Sequence, residues 1–247
     1  MSKIKSYTKI LFSSCLLGLT ITSLSIPLIN AQENPPATTK TKKSTSILQA
    51  LLNLLKSSEN RLITRGDKVC PISPGNLGEN LIYSDRPMFI WSMLEESISQ
   101  STIDLTLVGE INNYQREPEL LWSKTIATNS QNITYNGEPL QSGFIYDWQF
   151  ISPEKTYIFS FNVMEKTERE VIERELKAIE ERLQSNNATK EEIAISKADY
   201  FANKQLWSDA LQQFYTVKNP SSELKNQQQE MIAYLCQPEN SNLTQTK

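Results

Sequence analysis

The chain contains no histidine, only three cysteines and only seven glycines in 247 residues. Without an imidazole, neither a Ser-His-Asp nor a Cys-His nucleophile can be assembled. A His-ligated zinc or iron site and a proton shuttle working near neutral pH are excluded for the same reason. Gly-rich phosphate loops, EF-hand loops and closely spaced Cys pairs are missing too. Ser-x-x-Lys occurs at Ser2-Lys5 near the start and at Ser222-Lys225 at a helix start, contexts that do not suit a Ser-Lys dyad. No cofactor and no metal are expected. What remains is ordinary for a folding chain: 38% hydrophobic, 21% charged and 9% aromatic residues, enough to bury a sizeable core.

Acidic residues are absent from the first 31 positions, where Lys3, Lys5 and Lys9 precede an apolar run from Ile10 to Ile29. The segment closes on Ile29-Asn30-Ala31, with the small residue a signal peptidase requires. Residues 1–31 are therefore expected to be an export signal. The competing reading is an uncleaved membrane anchor, although Ser13, Ser14, Thr20, Thr22, Ser23 and Ser25 dilute the run and Pro27 breaks it. Loss of 1–31 moves the formal net charge from −3 to −6, which is no footprint for nucleic acid. The location expected is periplasmic or extracellular.

Export also decides how the cysteines are read. Cys15 leaves with the signal, and Cys70 and Cys236 remain as an even pair in an oxidising compartment. A disulfide between them closes a loop of more than 160 residues, a constraint worth roughly 4–5 kcal/mol in the chain-entropy account. Two separate buried thiols are the alternative. Cys70 is expected in a Pro-rich loop, and Cys236 at the end of a helix just before Pro238.

Periodicity divides the rest. Residues 32–46 are Pro/Thr/Ser-rich and too polar to order themselves, and 47–64 hold a short apolar helix with Leu48, Leu51, Leu52 and Leu55 in one stripe. Residues 65–164 are expected to form the β-sandwich, and from Leu81 to Met164 the period is two. Strands are expected at 87–91, around Ile103, Leu105 and Leu107, at 120–126 with Trp122, at 144–151 and at 157–163, with a turn at Ser152-Pro153-Glu154-Lys155. Several strands with no helix between them predict antiparallel pairing. Leu140-x-x-Gly143-x-x-Tyr146 has the spacing of a tyrosine corner, with the Tyr hydroxyl bonding back to upstream backbone and Trp148 pointing into the core. The expected architecture is α+β: an antiparallel immunoglobulin-like β-sandwich followed by a C-terminal helical hairpin or bundle.

Residues 165–237 read as helical and 238–247 as a flexible tail. Capping boxes are expected at Thr167-Glu168-Arg169-Glu170 and Thr189-Lys190-Glu191-Glu192. Val171, Ile172, Leu176, Ile179 and Leu183 form one apolar stripe, Ser221 or Ser222 caps a last helix, and Ala198, Phe201, Ala210 and Phe214 have the small and aromatic spacing of a two-helix repeat. Acidic residues crowd between Glu165 and Glu181 but alternate with Arg and Lys at helical spacing, the pattern of a solvated face. Two polar-aromatic groups stand apart: Tyr83-Ser84-Asp85-Arg86-Pro87, where Asp85 and Arg86 are expected to pair or bond neighbouring backbone, and Leu206-Trp207-Ser208-Asp209-Ala210, where Ser208 or Asp209 is expected to cap a helix.

In order and spacing, Cys70, Phe89-Ile90-Trp91, Leu140-x-x-Gly143-x-x-Tyr146-x-Trp148, Arg169 and Tyr200-Phe201-Ala202…Leu206-Trp207-Ser208-Asp209-Ala210-Leu211 resemble the exported cyanobacterial family called domain of unknown function 928. The resemblance spans roughly residues 65–236. A Gly-rich segment before the Cys is reduced here to Arg65-Gly66-Asp67. It implies an extracytoplasmic protein without known catalysis and carries over no active-site residues. The function expected is a non-catalytic module that binds a protein or cell-envelope component, with membrane contact only if the N-terminal segment stays uncleaved. The alternatives are a carboxylate-dependent hydrolase of envelope glycans, with two facing acids, and an envelope structural protein held by its N-terminal helix.

Overall fold

The computed structural model describes residues 69–77, 80–94, 102–110, 119–151 and 156–236, all within the unit Thr38–Lys247. The expected export signal (1–31), linker (32–46), apolar helix (47–64), tail (238–247) and turn at 152–155 lie outside the described residues. The fold is mixed α+β, with two sheets and four helices among these residues. The strands are β1 (Val69–Ser73), β2 (Leu81–Ile82), β3 (Met88–Met93), β4 (Thr102–Glu110), β5 (Glu119–Ala127), β6 (Asn132–Thr134), β7 (Ile145–Ile151) and β8 (Thr156–Val163). Helices α1 (Lys166–Ser185), α2 (Lys190–Asn203), α3 (Trp207–Tyr215) and α4 (Ser222–Leu235) follow.

One sheet has the order β1-β3-β6 and the other β2-β8-β7-β4-β5. Pairing is antiparallel except for β2 against β8, which is parallel. The expectation of wholly antiparallel strands is corrected here, and the connection explains it. After β1 the chain leaves the smaller sheet through Gly75, whose φ is +83° and whose Cα presses on the Ser160 carbonyl so closely that a Cβ would collide. The chain therefore reaches the larger sheet running alongside β8. Asn162 N–H donates to Asn80 O (2.7 Å) and Met164 N–H to Ile82 O (2.8 Å).

Alternation decides which side chains meet. Tyr146, Trp148 and Phe150 of β7, Ile103, Leu105 and Leu107 of β4, and Trp122 of β5 are buried on one face of the five-stranded sheet. They share a core with Phe89 and Trp91 of β3. Phe89 lies between Trp122 (centroids 5.7 Å) and Trp148 (5.3 Å), and Trp91 meets Phe150 at 6.0 Å. Offset and tilted rings at these distances add about 0.5–1.5 kcal/mol per pair beyond the area they bury. Phe144, expected in register with this inward set, precedes β7 and is only half-buried.

The other face of the three-stranded sheet, Cys70, Ile72, Met88 and Ile90, belongs to a second core shared with all four helices. A strand covered on both faces needs an apolar run rather than alternation, and Met88-Phe89-Ile90-Trp91 is such a run, buried at all four positions. Helix α2 packs against α3 through Ala198, Phe201, Ala210 and Phe214, all buried. On α1 only Ile172 and Leu176 of the expected stripe are buried, and Val171 is 43% exposed.

Helix starts follow the sequence in part. Thr189 and Glu192 form the expected capping box, and Ser221 caps α4 through Leu224 N–H (3.1 Å). The box at Thr167 does not form: Glu165 is the N-cap, without a side-chain bond. Met164 is still tied to β2, so the helix begins at once and leaves Thr167 inside its first turn. Cys70 lies within β1 rather than in a loop, and its sulfur is 2.02 Å from that of Cys236, the C-cap of α4.

Candidate functional site

The two polar-aromatic groups singled out in the sequence, 120 residues apart, come together in space. Both expected local roles are corrected. The N-cap of α3 is Leu206, with no side-chain cap bond, and Asp209, in the first turn, bonds the 83–84 backbone instead of capping the helix. Its Oδ2 accepts the Tyr83 N–H (2.7 Å) and its Oδ1 the Ser84 N–H (2.9 Å). Three residues on, the same face of α3 carries Gln212. Its Oε1 accepts Met88 N–H (3.1 Å), while its Nε2 donates to Arg86 O (3.2 Å) and Ser84 Oγ (3.3 Å). Asp85, expected to act with Arg86, instead pairs with Arg169 of α1 (2.7 Å). Arg169 also lies over the Tyr83 ring, 5.6 Å from its centroid.

This clasp ties the turn entering β3 to two helices. A turn leaves backbone N–H groups unpaired, and a buried donor without an acceptor costs about 1–3 kcal/mol. Asp209 and Gln212 supply those acceptors. Asp209 is 2% exposed, and burial pushes its carboxyl up to about 6, against the opposing pull of the Tyr83 and Ser84 amides and of Arg169. Burial also raises the Tyr83 hydroxyl, and Glu173 adds to that. Chemically the site is closed: each oxygen of Asp209 already accepts a bond, and Asp85 is paired. Nothing in the residue types around Gln212 announces its role. Only its i+3 spacing from Asp209, on one helix face, is a signal.

Next to the clasp, where Leu140 N–H donates to Asp85 O (3.0 Å), the tyrosine corner is formed. Gln141 N–H donates to the Tyr146 hydroxyl (2.8 Å), which donates to Gln141 O (3.1 Å), and burial raises that hydroxyl above its ordinary value. Gly143, at φ +77°, makes the bend. Trp148 is fully buried and donates from Nε1 to Pro74 O (2.7 Å). It is thereby removed as an aromatic platform for a ligand. Beside the corner lies an open groove of about 390 Å³ between the start of β5 and the 135–144 segment. Leu120 on the adjoining strand is 61% exposed and Leu121, in the groove, 38%.

The acidic run Glu165–Glu181 spreads over the exposed face of α1. Its members pair outward, Glu175 with Lys204 (3.2 Å) and Glu180 with Lys197 (2.6 Å), and along the helix, Glu181 with Lys177 (3.9 Å). Glu175 also accepts the Tyr200 hydroxyl, which lowers the Glu175 carboxyl and raises the tyrosine, whose largest cause is burial. Among the described residues no group of three or more His, Cys, Asp or Glu is placed to hold a metal ion. No family model, curated protein or solved structure matches the chain.

Proposed function

We propose that the protein is an exported, non-catalytic module that binds a protein or cell-envelope component through the open end of its five-stranded sheet. The observation that carries this reading is the groove beside Tyr146, flanked by the exposed Leu120 and Leu121 on β5, an edge strand paired by β4 on one side and by no described strand on the other. Apolar side chains gathered at a sheet edge are costly to leave in water, and they mark contact surfaces. The acids of the clasp favour binding over hydrolysis, because both are occupied by structural partners.

Within this proposal the two sheets are an immunoglobulin-like sandwich. Reading the strands in chain order as A, A′, B, C, C′, E, F and G puts A-B-E in one sheet and G-F-C-C′ in the other, with A′ added beside G. That is the partition of this fold class, and Tyr146 then opens strand F, where a tyrosine corner belongs. The four helices form a bundle against the A-B-E face. The Cys70–Cys236 pair is consistent with an oxidising compartment, and so with residues 1–31 acting as an export signal. The resemblance to domain of unknown function 928 is part of the same proposal.

The test is retention of an envelope component, from an extract of the protein's own cells, on the immobilised mature chain. Leu120→Asp is expected to abolish retention with the thermal midpoint unchanged. If nothing is retained while hydrolysis of an envelope glycan is detected, the hydrolase alternative replaces this reading.

A further inference from the structure

The groove beside the tyrosine corner has a chemical character of its own. Its wall carries the half-buried ring of Phe144 and the side chain of Leu121, with the rings of Tyr135 and Tyr146 buried in the core behind them, and its rim carries the carboxylates of Glu119 and Glu138. Both glutamates are exposed. Among the described residues no basic side chain lines the groove, and neither glutamate has an ion-pair partner. Arg86 is the one described cation whose field reaches Tyr135, and it is not part of the lining. Two unpaired anions beside an accessible apolar wall match a cationic side chain. The carboxylates attract the charge, and Leu121 and Phe144 cover its methylene stem. The strand alongside, β5, is nine residues long and lacks a described neighbour on its outer edge, which suits an extended segment that adds main-chain hydrogen bonds.

We propose that the groove takes a Lys or Arg side chain from an extended partner segment lying along β5, with Glu119 and Glu138 pairing the charge and Leu121 and Phe144 forming the wall. This rests on the binding-module reading above and names the chemistry of its partner. Charge complementarity singles out this occupant: an acidic segment would face two like charges, and a purely apolar one would leave both carboxylates desolvated without a counter-ion.

The probes are two blocked heptapeptides of alternating Thr and Val, one with a central Arg and its twin with norleucine there, titrated against the full chain by NMR. The Arg peptide is expected to bind about tenfold more tightly than its twin, to weaken as salt rises, and to shift resonances of the 119–127 and 135–144 segments. Glu119→Gln/Glu138→Gln is expected to erase the preference, and two exposed rim positions leave the fold intact. Equal affinity of the twins, a preference that survives in the double variant, or no binding would overturn the proposal. Retention of an envelope component that is sensitive to Leu120→Asp but indifferent to the double glutamine variant would sink the cationic occupant alone and leave the binding module standing.

Discussion

Replacing Asp209 by asparagine tests whether the clasp is governed by burial or by its hydrogen bonds. The carboxyl stands at about 6 against an ordinary 3.8, a rise of about two units, and each unit is worth about 1.4 kcal/mol. The side chain is almost inaccessible, so solvent screening takes little from that figure. A carboxyl raised in the native state keeps a proton that the unfolded chain has already released. Its stabilisation is complete below about pH 4 and is lost as pH rises through 6. The Asp209→Asn variant has no such proton. Its stability deficit relative to the unaltered protein should therefore widen by about 2–3 kcal/mol between pH 7 and pH 4, or about 1 M in the urea midpoint. Titrations elsewhere occur in both proteins and cancel in the difference. The groups facing Asp209 are Arg169 from α1 and Tyr83 and Asp85 from the turn, and all are retained. Urea unfolding at several pH values, followed by the near-ultraviolet signal of the buried tryptophans, reads this directly. A gap that stays constant or narrows toward acid would mean that the two amides and Arg169 hold the carboxylate ionised, and the burial argument would be refuted.

Two other perturbations bear on the scaffold. The Cys70–Cys236 bond spans 166 positions, which the chain-entropy account values at about 5 kcal/mol. Reduction, or Cys70→Ala/Cys236→Ala, is expected to lower the urea midpoint by about 2 M, and coinciding curves with and without reductant would contradict the crosslink. Tyr146→Phe removes both bonds to Gln141 and leaves its N–H without an acceptor. A loss of about 1–2 kcal/mol in calorimetry is expected, and an unchanged midpoint would show that the corner carries no stability.

Much of the architecture can be read from period alone. Tyr146, Trp148 and Phe150 point one way because alternate residues of a strand must, and the register of β7 with β4 and β8 places them opposite Leu105, Leu107, Phe159 and Phe161. Thr189 and Ser221 cap their helices because capping is decided within three residues. What period cannot show is who covers an apolar run. Met88 and Ile90 face helices while Phe89 and Trp91 face the opposite sheet, and nothing in the run distinguishes the two. Leu81–Ile82 is too short to carry a pattern, so its parallel pairing with β8 was illegible. The clasp was half legible. Tyr83 to Pro87 and Leu206 to Ala210 stand out as unusual, yet a carboxylate one turn into a helix reads as a local cap. Its true partners, two amides more than 120 residues away, depend on tertiary packing that no local rule encodes. Gln212 was missed outright.

Cys70 and Cys236 bracket nearly all of the described residues, with their Cα atoms 5.8 Å apart. A pull applied between the flanking ends of the chain, by an anchored partner or a moving envelope, runs through that single covalent link. Sheets and helices between the two cysteines stay off the line of tension. While the sulfurs are joined the folded body hangs as a slack loop beside the load path, and it is exposed to stretching only after reduction.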